Sequence, residues 1–156
     1  MWTCKFLAAC MFVGVAGAVA LAQPGERVPI PDTFEGTAAN DKKPDLKTGF
    51  VATAAKWKEA WAKVNPKEKL PEVDFVKHFL LVSARDAADP NLRSASVLKD
   101  DKGVVTVSEA STLIGFEPSD RTIYRFYKVS REGVTGVRRF DPAQKKWVVD
   151  PLPKSV

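Results

Sequence analysis

The segment Thr53-Ala54-Ala55-Lys56-Trp57-Lys58-Glu59-Ala60-Trp61-Ala62-Lys63-Val64 is the one clear helical pattern in the chain, and the apolar runs that follow it are short and bounded by turn residues. Ala54, Trp57, Trp61 and Val64 recur at spacings of three, four and three, which puts them on one helix face, with Lys56, Lys58, Glu59 and Lys63 mostly opposite. Thr53 is suited to cap the free N–H groups of the first turn, and Asn65-Pro66 stops the helix. Aromatics recurring on an apolar stripe read as core rather than as an exposed pair for stacking on sugars. The helix is therefore expected to dock through its two tryptophans.

What it docks on is a set of strands. His78-Phe79-Leu80-Leu81-Val82 is apolar on both alternating faces, as a central strand covered on each side requires. Ser94 to Leu98 and Val104 to Ser108 flank Lys99-Asp100-Asp101-Lys102-Gly103, where aspartates followed by a glycine suit a hairpin turn. Thr122 to Ser130 is rich in residues that favour a pleated surface. Val137-Arg138-Arg139-Phe140 and Lys145-Lys146-Trp147-Val148-Val149 bracket Asp141-Pro142-Ala143-Gln144, a second hairpin signal. One helix beside consecutive strands predicts an α+β fold: one amphipathic helix packed on a mostly antiparallel β-sheet, in a single domain over 48–156.

Ahead of that domain, residues 23–47 hold Pro24, Pro29, Pro31 and Pro44, which exclude a helix and favour extended backbone. This stretch reads as an arm, within which Thr33-Phe34-Glu35-Gly36-Thr37 is expected to add a short edge strand anchored by Phe34. Residues 1–22 read as a signal peptide. Lys5 precedes an apolar run from Phe6 to Ala22 that ends Ala20-Leu21-Ala22, and polarity begins at Gln23. Retention as a membrane anchor is the rival reading, but the run is short and rich in Ala and Gly for a span of roughly 30 Å. Leu7-Ala8-Ala9-Cys10 is shaped like a lipidation box, yet a long apolar run follows Cys10 where such a box would end one. The expected location is secreted or periplasmic, with no stable membrane insertion after cleavage.

The two cysteines, Cys4 and Cys10, both lie in that leader, so the exported chain is expected to hold neither thiol nor disulfide and to rely on an ordinary core. Loss of Lys5 lowers the formal charge of +5 by one, leaving a modest basic excess that favours anionic partners weakly.

The sequence offers no catalytic constellation. His78 is the single histidine and sits among Phe79, Leu80 and Leu81, which reads as a structural strand residue. No serine lies in a nucleophile elbow. One histidine without cysteine does not supply the usual zinc ligands. Asp86-Ala87-Ala88-Asp89-Pro90-Asn91 groups oxygen side chains but lacks the spacing of a calcium loop. No cofactor or metal is expected. The basic residues Arg121, Arg125, Lys128, Arg131, Arg138 and Arg139 interleave with aromatics, above all Tyr124, and form the candidate binding surface. Export argues against nucleic acid as its ligand.

The Trp57-x-x-x-Trp61 helix, Pro71-Glu72-Val73-Asp74-Phe75, the apolar Leu80-Leu81-Val82 and the late Tyr127-Lys128-Val129-Ser130-Arg131-Glu132-Gly133-Val134 together resemble small uncharacterised exported bacterial domains. More distantly they resemble the C-terminal domain of protease-complex B subunits. The resemblance spans roughly 49–137 and implies a compact α+β module that acts by binding, helping a partner enzyme assemble; it carries over no catalytic residue. Within it, Asp74 is expected to cap a turn or to pair with a base such as Arg131.

These observations lead to an exported, non-catalytic binding or accessory domain whose partner is an exported protein or an anionic envelope polymer. The alternative is a carboxylate-dependent hydrolase acting on envelope polysaccharide.

Overall fold

The computed structural model describes residues 25–46, 49–89, 94–110, 115 and 117–154. The expected leader, residues 1–22, and its expected cleavage point lie outside the described residues. Among those described, no helix is long and apolar enough to cross a membrane.

Helix α1 (Ala54–Val64) forms where its spacing predicts, except that Ala54, expected on the docking face, is exposed in the first turn and Ala60 is buried instead. The Thr53 hydroxyl accepts a hydrogen bond from the Lys56 N–H at 3.3 Å, and Trp57, Ala60, Trp61 and Val64 are buried along one face. The chain turns away at Asn65, whose N–H donates back to Trp61 O. Each indole N–H is satisfied by the segment after the helix: Trp57 Nε1 donates to Pro71 O at 2.9 Å and Trp61 Nε1 to Lys69 O at 3.2 Å. A buried indole without such a partner would leave a donor stranded, so the return loop is fixed by the same two residues that dock the helix.

The strands divide between two sheets. The inner sheet runs β2 (Thr33–Ala39), β7 (Arg121–Ser130), β4 (His78–Asp86), β3 (Phe50–Val51), antiparallel throughout. The outer sheet runs β1 (Glu26–Val28), β5 (Ser94–Lys99), β6 (Val104–Ala110), β8 (Gly136–Asp141), β9 (Lys146–Pro151), and its one parallel contact joins β6 to β8. The fold is thus a single α+β unit in three layers: helix, inner sheet, outer sheet. Trp57, Trp61 and Val64 pack with Val51, Leu80, Tyr124 and Phe126 on one face of the inner sheet. On its other face Phe50, Phe79, Leu81, Tyr127 and Val129 meet Val97, Val105 and Val137 of the outer sheet. Coverage on both faces is why β4 opens with the continuous apolar run Phe79–Val82.

Residues 25–46 are woven into both sheets. β1 pairs with β5, and β2 pairs with β7 over its whole length, with Phe34 packed against both helix tryptophans. Gly36 lets β2 approach the end of α1: a Cβ there would come within 2.6 Å of Val64 Cγ2.

Candidate binding surface

The seven residues singled out by sequence do not share one surface. Tyr124 is only 4% exposed and belongs to the core under the helix. Its neighbour Arg125 points to the other face of β7, where Nε meets Glu35 Oε2 of the facing strand β2 at 2.6 Å; that pairing, with hydrogen bonding to Glu35 as its leading cause, raises the guanidinium pKa. Lys128 Nζ reaches Asp32 Oδ2 at 2.7 Å. Arg121 is exposed at the start of β7. Arg131 is a structural clamp: its guanidinium donates to His78 O (3.0 Å), Pro153 O (2.7 Å) and Ala52 O (2.8 Å), and desolvation lowers its pKa.

Only Arg138 and Arg139 remain adjacent, on β8, and both are engaged by carboxylates. Arg138 meets Asp100 Oδ2 at 2.9 Å and Arg139 meets Asp150 Oδ2 at 2.6 Å. Four of the six cations thus have a carboxylate of the same chain within 3 Å, which removes much of the free positive potential that the sequence suggested.

Beside Arg138 and Arg139 lies a feature that the cation pattern did not single out. In the β8–β9 hairpin, Phe140 faces Trp147 and Arg138 faces Val149. Val137 alternates inward to the inter-sheet core, so Arg138, Phe140, Trp147 and Val149 share the outward face. Phe140 is 50% exposed, Trp147 62% and Val149 49%, and the two rings meet edge to face with centroids 5.8 Å apart. Three of the four large apolar side chains left exposed on the described molecule are therefore on one hairpin face. The sequence signal was present: two aromatics equidistant from a turn, in phase with an arginine rather than with the buried valine.

The hairpin borders a cleft. β6 and β8 pair only at Val104–Gly136 and Val105–Val137, then run on to Ala110 and Asp141 without further pairing to each other. Where they part, a hollow of about 520 Å³ opens over Val82, Ser83 and Ala84 of β4, walled by Val107 and Glu109 on one side and by Arg139, Phe140 and Trp147 on the other. Glu109 also accepts a 2.8 Å hydrogen bond from the Tyr127 hydroxyl, and burial first, then that bond, pushes the Tyr127 phenol up to about 12.

The remaining acidic candidates serve backbone. Asp74 caps its own turn, accepting from the Val76 N–H, and pairs with Lys77 rather than Arg131. The Asp86 carboxylate accepts from Ala88 N at 2.8 Å and from Ser119 N at 3.0 Å, in that order the main causes of its lowered pKa. Asp100 accepts from Val104 N and Lys102 N, closing the β5–β6 turn. Among the described residues no group of three His, Cys, Asp or Glu side chains is placed to hold a metal ion. Comparison of the chain with known protein families, curated proteins and solved structures gave no match.

Proposed function

We propose that this chain is an exported, non-catalytic binding or accessory domain that engages a protein partner through the outward face of its β8–β9 hairpin and the adjoining cleft. The observation that carries this reading is the exposed Phe140–Trp147 pair set beside a hollow with Ser83 at its floor and Val107, Glu109 and Arg139 in its walls. Large aromatics held rigid at a surface are the usual anchors of protein interfaces, and grouped exposure of this kind marks interaction sites. Pairing of Arg125, Lys128, Arg138 and Arg139 with carboxylates favours a protein over a polyanion, which would need those charges free. Export rests on the leader pattern of residues 1–22, and the accessory role on the resemblance to domains of protease-complex B subunits.

The test is capture from an envelope extract by the exported chain, with gentle crosslinking and elution at moderate salt, beside a Phe140→Ser/Trp147→Ser double variant. One stoichiometric protein retained by the parent chain and lost from the variant is the expected result. Equal retention by both removes the hairpin from the interface. Retention only of salt-sensitive polymer, weakened by Arg125→Glu with Arg138→Glu, replaces the protein partner by an anionic one.

A further inference from the structure

The outer sheet ends in an open strand. Of the four strands that end a sheet, β1 has three residues and β3 two, too short to template pairing. β2 has seven, but its free side is met by α1: Asn65 Nδ2 donates to Glu35 O at 2.8 Å and Gly36 lies against Val64. β9, Lys146–Pro151, has six residues and pairs with β8 on one side only; among the described residues no backbone hydrogen bond reaches its other side. A free ladder edge of this length invites another strand.

We infer that the strand which completes it is β9 of a second copy of this chain, paired antiparallel about a twofold axis at Val148. A twofold normal to the sheet keeps every residue on its own face, so directly opposed residues must be of like parity. Centring on Val148 sets Lys146 opposite the partner's Asp150, whose Oδ2 is held by its own Arg139 and whose Oδ1 would meet the ammonium, and Trp147 opposite the partner's Val149, each contact made twice. Lys146, Val148 and Asp150 lie on the inward side of the strand, as the Arg139–Asp150 contact shows, and Trp147 and Val149 on the outward side, so both faces match. Moving the centre by one residue either way sets Val148 opposite Asp150 or opposite Lys146 and loses the charge pairing. Opposed unlike charges and aromatic with β-branched pairs are the combinations that stabilise a ladder. The register also ends before Pro151, which has no N–H to give.

This goes beyond the binding role and stands or falls separately from it. The joined sheet would carry one continuous outward stripe made of Phe140, Trp147 and Val149 from each copy, a platform twice as long as either hairpin offers alone.

Sedimentation equilibrium of the chain, expressed with its leader and purified after export, tests the inference. A concentration-dependent dimer is expected. Lys146→Asp alone sets like charges opposite each other at both contacts and should weaken the dimer by roughly tenfold or more; Asp150→Lys should do the same. Mixing the two variants recreates two complementary pairs and should restore a mixed dimer. Because Asp150→Lys also removes the contact to Arg139, thermal melting checks its fold, and Val148→Lys, which opposes two ammonium groups at the axis, serves in its place should that variant fail to fold. A monomer at every concentration overturns the inference, and so does a dimer indifferent to Lys146→Asp and Val148→Lys.

Discussion

The Tyr127 hydroxyl donates to Glu109 Oε1 at 2.8 Å, tying β7, one of the two interior strands of the inner sheet, to the outer sheet across their shared core. The folded protein holds that phenolic proton up to about pH 12, whereas the unfolded chain releases it near the ordinary value of 10.0. Because the folded state then binds more protons than the unfolded one, the stabilisation from this group is complete below about pH 10 and is lost as pH rises through about 12. Burial raises the Tyr124 pKa as well, adding to the same slope. Denaturant unfolding between pH 9 and 12 should therefore show falling stability. Tyr127→Phe should flatten the fall while lowering neutral-pH stability by about 1 kcal/mol; an unchanged slope would assign the alkaline loss elsewhere.

Arg131 offers a test of clamp against binding group. One planar fork serves three carbonyls, from the α1 approach, β4 and the C-terminal segment, a geometry that a lysine ammonium does not reproduce. Arg131→Lys should cost about 2 kcal/mol in chemical denaturation. Partner capture per folded molecule should stay as in the parent chain.

The tryptophans of the described chain separate core from surface. Trp57 is fully buried with its ring 4.9 Å from that of Phe126, so Trp57→Ala should lose about 3–5 kcal/mol. Trp147→Ala, which removes only the edge-to-face contact with Phe140, should cost about 1 kcal/mol. Acrylamide should quench Trp147 readily and Trp57 and Trp61 poorly. A strongly destabilised Trp147→Ala would mean the hairpin ring is structural.

Acid should act through two turn aspartates. The pKa of Asp86 is lowered chiefly by the Ala88 and Ser119 N–H groups, and that of Asp100 chiefly by the Val104 N–H, both from the ordinary 3.8. Their contribution is present above that value and lost as pH falls below it. Melting temperature should drop below about pH 4 less steeply in Asp86→Asn and Asp100→Asn than in the parent chain.

Local patterns carried the elements well. The Thr53 cap, the tryptophan spacing of α1, the doubly apolar β4 and both hairpin turns are written in neighbouring residues, and each formed. The split into two sheets was not legible, because the short parallel contact of β6 with β8 joins residues 32 apart and leaves no local trace. The binding surface misled for a related reason. Arg125 and Tyr124 are neighbours in sequence but lie on opposite faces of a strand buried on both, and the partner that neutralises Arg125, Glu35, is 90 residues away. Phe140 and Trp147 were visible as hairpin flanks, but their exposure depends on Val137, not Arg138, facing the core.

The most direct test of the hairpin as the binding face places a photo-crosslinking phenylalanine analogue at position 147, and in a second chain at position 58 on the solvent side of α1, and irradiates each in its own envelope extract. The account predicts, besides any crosslink to a second copy of this chain, one crosslinked protein of different sequence from position 147 and none from position 58. The same products from both positions, or products from position 58 alone, would contradict it.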